Sequence, residues 1–228
     1  VPQHIDPATN LVVSGDAVAM SGQAQNGGVR FLGAVKAVTR GGTVYTKDNR
    51  LYVENADEAT LCFSCQTDYY HPDSWQELPL EKVNAAVQKG WDALLATHRT
   101  DYQTIFGRVD LSLRQTAASK LPTDKRLQRV RNDRAAAADD PALFALQFQF
   151  GRYLLISSSR KGYFPPGIFY WNPYIFAYWY GGHHADINEQ MNYWPADLCN
   201  MSATIEPFFQ MLDDYEESGK LAAKYNYG

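Results

Sequence analysis

Between Leu11 and Thr67 apolar and polar residues alternate in short runs, LVVSG, AVAMSG, VRFLGAVKAV, TVYT, RLYVEN and ATLCFSCQT, separated by turn signals such as QNGG, RGG and KDN. A period of two buries one face of a strand, and Gly, Asn and Asp at the breaks supply turn conformations. This region predicts antiparallel strands in a sandwich or meander. From Pro79 the period lengthens to three and four through Val83, Val87, Trp91, Leu94, His98, Tyr102 and Ile105. That spacing predicts one long amphipathic helix packed on the sheet, with His98 a hydrogen-bonded packing histidine on its apolar face. RVDLSL then reads as one returning strand.

LPTDKRLQRVRNDRAAAADD has few large apolar residues and reads as a solvated helical linker with Thr123 as its N-cap. Asp140 and Pro141 open a second helix in the N-cap and N1 pattern, and Gly162 is expected to end it. In PALFALQFQFGRYLLISSSR the apolar residues cover nearly the whole circumference, as in an inner helix packed on several sides. From Ser202 a helix is predicted with Phe208, Met211, Leu212 and Tyr215 on one face, broken at SGK and resumed as LAAKYNY. An all-round apolar helix needs more neighbours than these pieces supply. The folding unit is therefore expected to extend past Gly228 and to begin before Val1.

Charge and composition narrow the class. A formal charge of −4 and a pI near 5.7 offer no basic stripe for phosphates, and the KRLQRVRNDR run is flanked by acids, so nucleic acid is excluded. No apolar run approaches the ~20 residues that span a bilayer, and VPQHIDPATN lacks the regions of a signal peptide. Cys62 and Cys65 lie three apart in a strand pattern and so point to opposite faces, which reads as two small packing residues. Neither disulfide nor zinc is expected. Asn200-Met201-Ser202 is an N-glycosylation tripeptide of the kind that arises often by chance.

The richest segment is HHADINEQMNYWPADLCN, His183 to Asn200, preceded by FPPGIFYWNPYIFAYWYGG. Amides, carboxylates, two histidines and large aromatics are costly to bury as plain core. They suit a sugar, whose hydroxyls take bidentate hydrogen bonds from amides and carboxylates while its C–H faces lie on Trp and Tyr rings. Trp171, Asn172, Trp179 and Tyr180 are candidate cleft walls, and His184 a candidate partner of a sugar hydroxyl. Asn188 is a candidate for positioning water, against a local role bracing the next helix. Asp186 is a catalytic candidate, with helix N-capping as its rival. Gln190 and Asn192 would brace the pocket from behind, and Trp194 before Pro195 reads as core. A metal held by His183, His184, Asp186 and Glu189 is not expected, since the HxxD spacing is common.

FALQFQFGRYLLISSSRKG, the WN at Trp171-Asn172, DINEQMNYWPADLCNMS and EPFFQML together resemble glycoside hydrolase family 95, the inverting α-L-fucosidases. The corresponding family phrases run FQYGRYLLIASSRPG and NINLQMNYWPAE. GGVRFLGAVKAVTRGGTVYTKDNRLYVENADEATL resembles the last part of that family's N-terminal β domain, and the Trp91 helix, FGRVDLSL and LPTDKRL resemble its connector. The resemblance covers nearly the whole chain, as the middle slice of a longer protein. It implies an antiparallel β-sandwich portion over residues 1–113 with one long helix, a helical linker over 114–140, and over 141–228 the start of an (α/α)6 barrel. The pocket would lie in the barrel mouth.

In the family a glutamic acid farther along is the general acid, and an aspartate farther still works with two asparagines to activate water. The asparagine pair falls on Asp186 and Asn188, so this chain departs at the first. Either Asp186 takes the water proton itself, or it adds a negative charge beside the distant aspartate, or the site has lost its chemistry. Inversion needs acid and base roughly 6.5 to 9.5 Å apart. PPGIFYWN also stands where the family writes PANLQGIWN. The resemblance implies cleavage of terminal α-L-fucose or L-galactose from an oligosaccharide or glycan, no cofactor and no metal, the rest of the same protein as partner, and a secreted, periplasmic or extracellular location. The alternatives are a non-catalytic carbohydrate-binding or structural protein of this architecture, and another (α/α)6 glycosidase or phosphorylase.

Overall fold

The computed structural model describes residues 10–24, 27–168, 170–171 and 178–228. The chain divides into two compact units, Val1–Arg99 and Thr100–Gly228. An antiparallel sheet region followed by helices is the architecture that the two periodicities predict.

In the first unit β1 (Asn10–Ser14), β2 (Ala17–Gln23), β3 (Arg30–Arg40) and β6 (Glu58–Thr67) form an antiparallel sheet in the order β1-β2-β3-β6. β4 (Thr43–Lys47) and β5 (Arg50–Glu54) form a separate hairpin. Its two-residue turn, Asp48-Asn49, has both φ angles positive at 49° and 58°, the mirror-image turn whose twist matches the strands. At the β3–β4 corner Gly42 is required twice over. Its φ is +66°, and a Cβ there would come within 2.2 Å of the Glu54 carbonyl oxygen.

α1 (Leu78–Lys89) lies on the sheet. Val83, with Ala86 and Val87, packs on Ala19, Ala34, Cys62 and Leu32, and the two alanines let the helix approach closely. Cys62 is buried and Cys65 exposed, as the strand alternation requires, and both thiols are free. The helix predicted from Pro79 to Ile105 is in fact two. Gly90, at φ +77°, ends α1, and α2 runs from Trp91 to Phe106. Period counting misses such a break because both halves keep their apolar spacing. His98 is exposed.

The second unit contains α3 (Thr123–Asn132), α4 (Pro141–Ser158), α5 (Ile187–Leu198) and α6 (Glu206–Tyr227). Its core joins Ile105, Leu155, Ile156, Tyr193, Ala196 and Met201. RVDLSL is not a strand. The Val109 carbonyl accepts from Arg152 at 2.8 Å, and the same buried guanidinium donates to the Phe106 carbonyl at 2.9 Å and lies 4.8 Å over the Phe106 ring. Arg152 thus satisfies carbonyls at the end of α2, whose last turn carries no basic residue of its own.

The linker also differs from its expected solvated form. Pro122, not Thr123, is the N-cap of α3. Arg126 is buried and grips Asp140 in a bidentate pair, both contacts at 2.8 Å. That pairing takes the Asp140 carboxylate away from capping α4, although Asp140 and Pro141 hold the predicted N-cap and N1 positions. The Arg126 guanidinium holds the Asp140 carboxyl below its ordinary range. α4 ends at Ser158, before Gly162, and α6 continues through Ser218-Gly219-Lys220, where Lys220 pairs with Glu216 and Glu217. Four large apolar residues of α4 stay open: Phe144, Leu146, Phe150 and Tyr153 are 40–55% exposed. Among the described residues no helix is long and apolar enough to cross a membrane.

Candidate functional site

Local chemistry sets where the polar segment sits. Asp186 occupies the N-cap of α5 without capping it, since its side chain accepts no bond from the first turn. Glu189 follows at the third helical position, where an acid suits the positive helix end. At the other end Asn200, with φ +52°, turns the chain so that the Met201 N–H reaches the Ala196 carbonyl at 2.6 Å. Met201 is thereby driven into the core.

α5 carries two apolar stripes. Tyr193 and Ala196 are buried with Glu189, whereas Ile187, Met191, Trp194 and Leu198 are 46–89% exposed. Trp194 is therefore not core in this chain: its spacing puts it on the second stripe. Ser159 donates its one proton to the Thr204 carbonyl at 2.8 Å, so the Tyr193 hydroxyl, 2.5 Å from Ser159 Oγ, is the donor of that contact. Burial pushes the Tyr193 phenol up to about 12.

Asp186 and Asn188 are both exposed. His184 is half-buried and meets the edge of Trp179 at 6.1 Å, with the rings at 88°. Trp179 is 70% exposed and held at φ +55°. Trp171 is 39% exposed and edge-on to Tyr170. Asn172 lies outside the described residues, as does the side chain of Tyr180. The structure thus brings Trp179 to His184, two positions before Asp186. A cleft of about 390 Å³ between α4 and α5 is lined by Gln147, Arg152, Leu155 and Asn192 among others, and by none of the predicted catalytic or sugar-contacting residues.

The stretch before Ile168 is held against the start of this segment. Ile168 N–H donates to the Gly182 carbonyl at 3.1 Å, and Asn192 Nδ2 donates to the Pro166 carbonyl at 3.1 Å. Pro165, Pro166 and Gly167 are buried. Gln190 Nε2 donates to the Ala185 carbonyl at 3.4 Å. Glu189, which the sequence reading weighed only as a metal ligand, is wholly buried with His183 Nδ1 3.3 Å from Oε1. A glutamate in the first turn of a helix is usually read as dipole compensation, which hides such a role. No group of three or more His, Cys, Asp or Glu able to hold a metal occurs among the described residues.

Residues 90–228 match the model of the glycosyl hydrolase family 95 catalytic domain, and residues 1–72 that of the glycosyl hydrolase family 65 N-terminal domain. The chain is 35% identical over 217 residues to alpha-L-fucosidase 2 of Arabidopsis thaliana, covering 88% of this chain and 25% of that protein. It is 28% identical over 246 residues to the probable alpha-fucosidase A of Aspergillus niger, covering 99% and 30%. With the probable alpha-fucosidase A of Aspergillus oryzae the identity is 33% over 166 residues, covering 71% and 23%. The chain thus spans 23% to 30% of the length of these relatives.

Proposed function

We propose that this chain, which belongs to glycosyl hydrolase family 95, contributes the start of the active site of an enzyme that removes terminal α-L-fucose, or the related L-galactose, from a glycan by inverting hydrolysis. The carrying observation is the family match over residues 90–228, with Asp186 and Asn188 exposed at the head of α5. In this reading the helices from Pro141 onward open an (α/α)6 barrel, and residues 1–113 belong to a β-sandwich. Asp186 takes the proton of the attacking water and Asn188 orients that water, while His184 and Trp179 meet the sugar. The general acid comes from another part of the same protein, and the location is secreted, periplasmic or extracellular.

The test is sugar release by the full-length polypeptide from fucosylated and L-galactosylated oligosaccharides, with the anomer of the first product read by NMR. Release of the inverted sugar is expected, with a kcat loss of roughly 10²- to 10⁴-fold in Asp186→Ala. Failure to free either monosaccharide overturns the reading. Wild-type turnover in Asp186→Ala overturns the role given to that carboxylate.

A further inference from the structure

Glu189 is 0% exposed, and neither of its carboxylate oxygens accepts a hydrogen bond among the described residues. A carboxylate sealed from water is costly unless a partner neutralises it or donates to it. The group facing it is the His183 imidazole, 26% exposed as a side chain, whose Nδ1 is itself buried, 3.3 Å from Oε1, and likewise without a hydrogen bond among the described residues. Nδ1 and Oε1 thus face each other with no hydrogen bond to either among the described residues. Phe164 closes one side of the His183 ring edge-on, with centroids 4.6 Å apart.

The position of His183 matters more than its chemistry alone. His184 follows it, and its carbonyl accepts the Glu189 N–H at 3.2 Å; Ala185 comes next, and its carbonyl takes Gln190. Asp186 therefore ends a short turn that is tied to α5 along its length. On its other side His183 abuts Gly167, where an added Cβ would lie 3.3 Å from the imidazole Cε1 and 2.7 Å from the Gly181 carbonyl oxygen. The turn and the 164–168 stretch thus meet at one ring.

We propose that Glu189 is a positioning residue, which by holding His183 fixes the turn that presents Asp186 and Asn188. Its catalytic consequence rests on the hydrolase reading above. Glu189 touches no reacting atom in this account. It acts through His183, as outer-shell carboxylates orient the imidazoles they face.

The experiment uses the full-length polypeptide with Glu189→Leu, which fills the space but removes the acceptor, Glu189→Gln, which keeps an acceptor, His183→Phe, and the Leu/Phe double variant. Glu189→Leu is expected to melt cooperatively and to lose kcat by roughly ten- to a hundredfold with KM within about twofold, because small misplacement of a reacting group is costly in rate. Glu189→Gln regains most of that loss, and the double variant is no slower than the slower single one. Should the leucine variant fail to fold, His183→Phe carries the same expectation. A folded Glu189→Leu or His183→Phe enzyme with wild-type kcat overturns the proposal, and so do losses that multiply in the double variant. An enzyme that frees neither fucose nor L-galactose sinks the hydrolase reading alone. The pair is then read by proton NMR, where a slowly exchanging imidazole N–H resonance, lost in both His183→Phe and Glu189→Leu, is expected; its absence from the wild type ends the proposal.

Discussion

Arg40 and Arg126 each meet a carboxylate at 2.8 Å, yet the Arg40–Glu58 pair is 64% and 69% exposed while the Arg126–Asp140 pair is 7% and 2% exposed. Although the helical unit has exposed pairs as well, such as Lys161–Glu206, the two units differ in the polar groups they bury. In the sheet unit the ion pairs Arg30–Asp68, Lys36–Asp16 and Arg40–Asp57 stand at the surface, and Gln66 is the one buried polar residue among those described. The helical unit buries Arg126, Asp140, Arg152, Ser159, Glu189 and Thr204. The reason lies in backbone bookkeeping. Strand ladders pair their own N–H and C=O groups, so the interior needs only apolar contact, whereas helix ends leave carbonyls and amides that side chains must reach. Arg152 on the Phe106 and Val109 carbonyls and Ser159 on the Thr204 carbonyl answer that need.

The sharpest way to break this contrast is to remove half of the buried pair. Asp140→Ala leaves the Arg126 charge enclosed and should cost about 3 kcal/mol, read by urea unfolding followed by helical circular dichroism. The pH dependence has a definite sign. Because Arg126 holds the folded Asp140 carboxyl below its usual value, its contribution is present above the ordinary carboxylate range near pH 4 and is lost as pH falls through the lower folded value. Asp140→Asn should abolish that part of the acid sensitivity. A variant as stable as the wild type would show that the burial is incidental.

The sheet unit should instead break at its backbone. Gly42→Ala meets both the +66° φ and the 2.2 Å approach to the Glu54 carbonyl, and about 2 kcal/mol of destabilisation is expected, concentrated in the β4–β5 hairpin by hydrogen exchange. The smallest effect belongs to Arg40→Ala. Although its guanidinium is drawn up by Glu58 and the Glu58 carboxyl is drawn down by Arg40, both stand in solvent, and no measurable change in melting temperature is expected at physiological salt. A clear loss there would erase the distinction between the units.

Much of the sheet was legible because alternation and turn residues are local signals. All six strand runs between Leu11 and Thr67 form strands, and Cys62 and Cys65 fall on opposite faces. What failed was also physical. Gly90 interrupts a periodicity that both flanking helices preserve, and RVDLSL has strand composition but no partner strand, its Val109 carbonyl being taken by Arg152 from 43 residues away. At the candidate site, the placement of Asp186 at the head of α5 followed from sequence. The pairing of Glu189 with His183 did not, because it depends on how a turn folds back on its helix.

The order of residues alone determined which stretches alternate, which wind into helices, and which segment gathers amides, carboxylates and aromatic rings. It did so because those properties depend on neighbours within a few positions. Tertiary structure alone decided that Arg126 and Asp140 close on each other, that Arg152 reaches the Phe106 and Val109 carbonyls, and that Glu189 is sealed beside His183. Burying a charge is a contest between lost hydration and a partner brought from elsewhere, and only the folded chain names that partner.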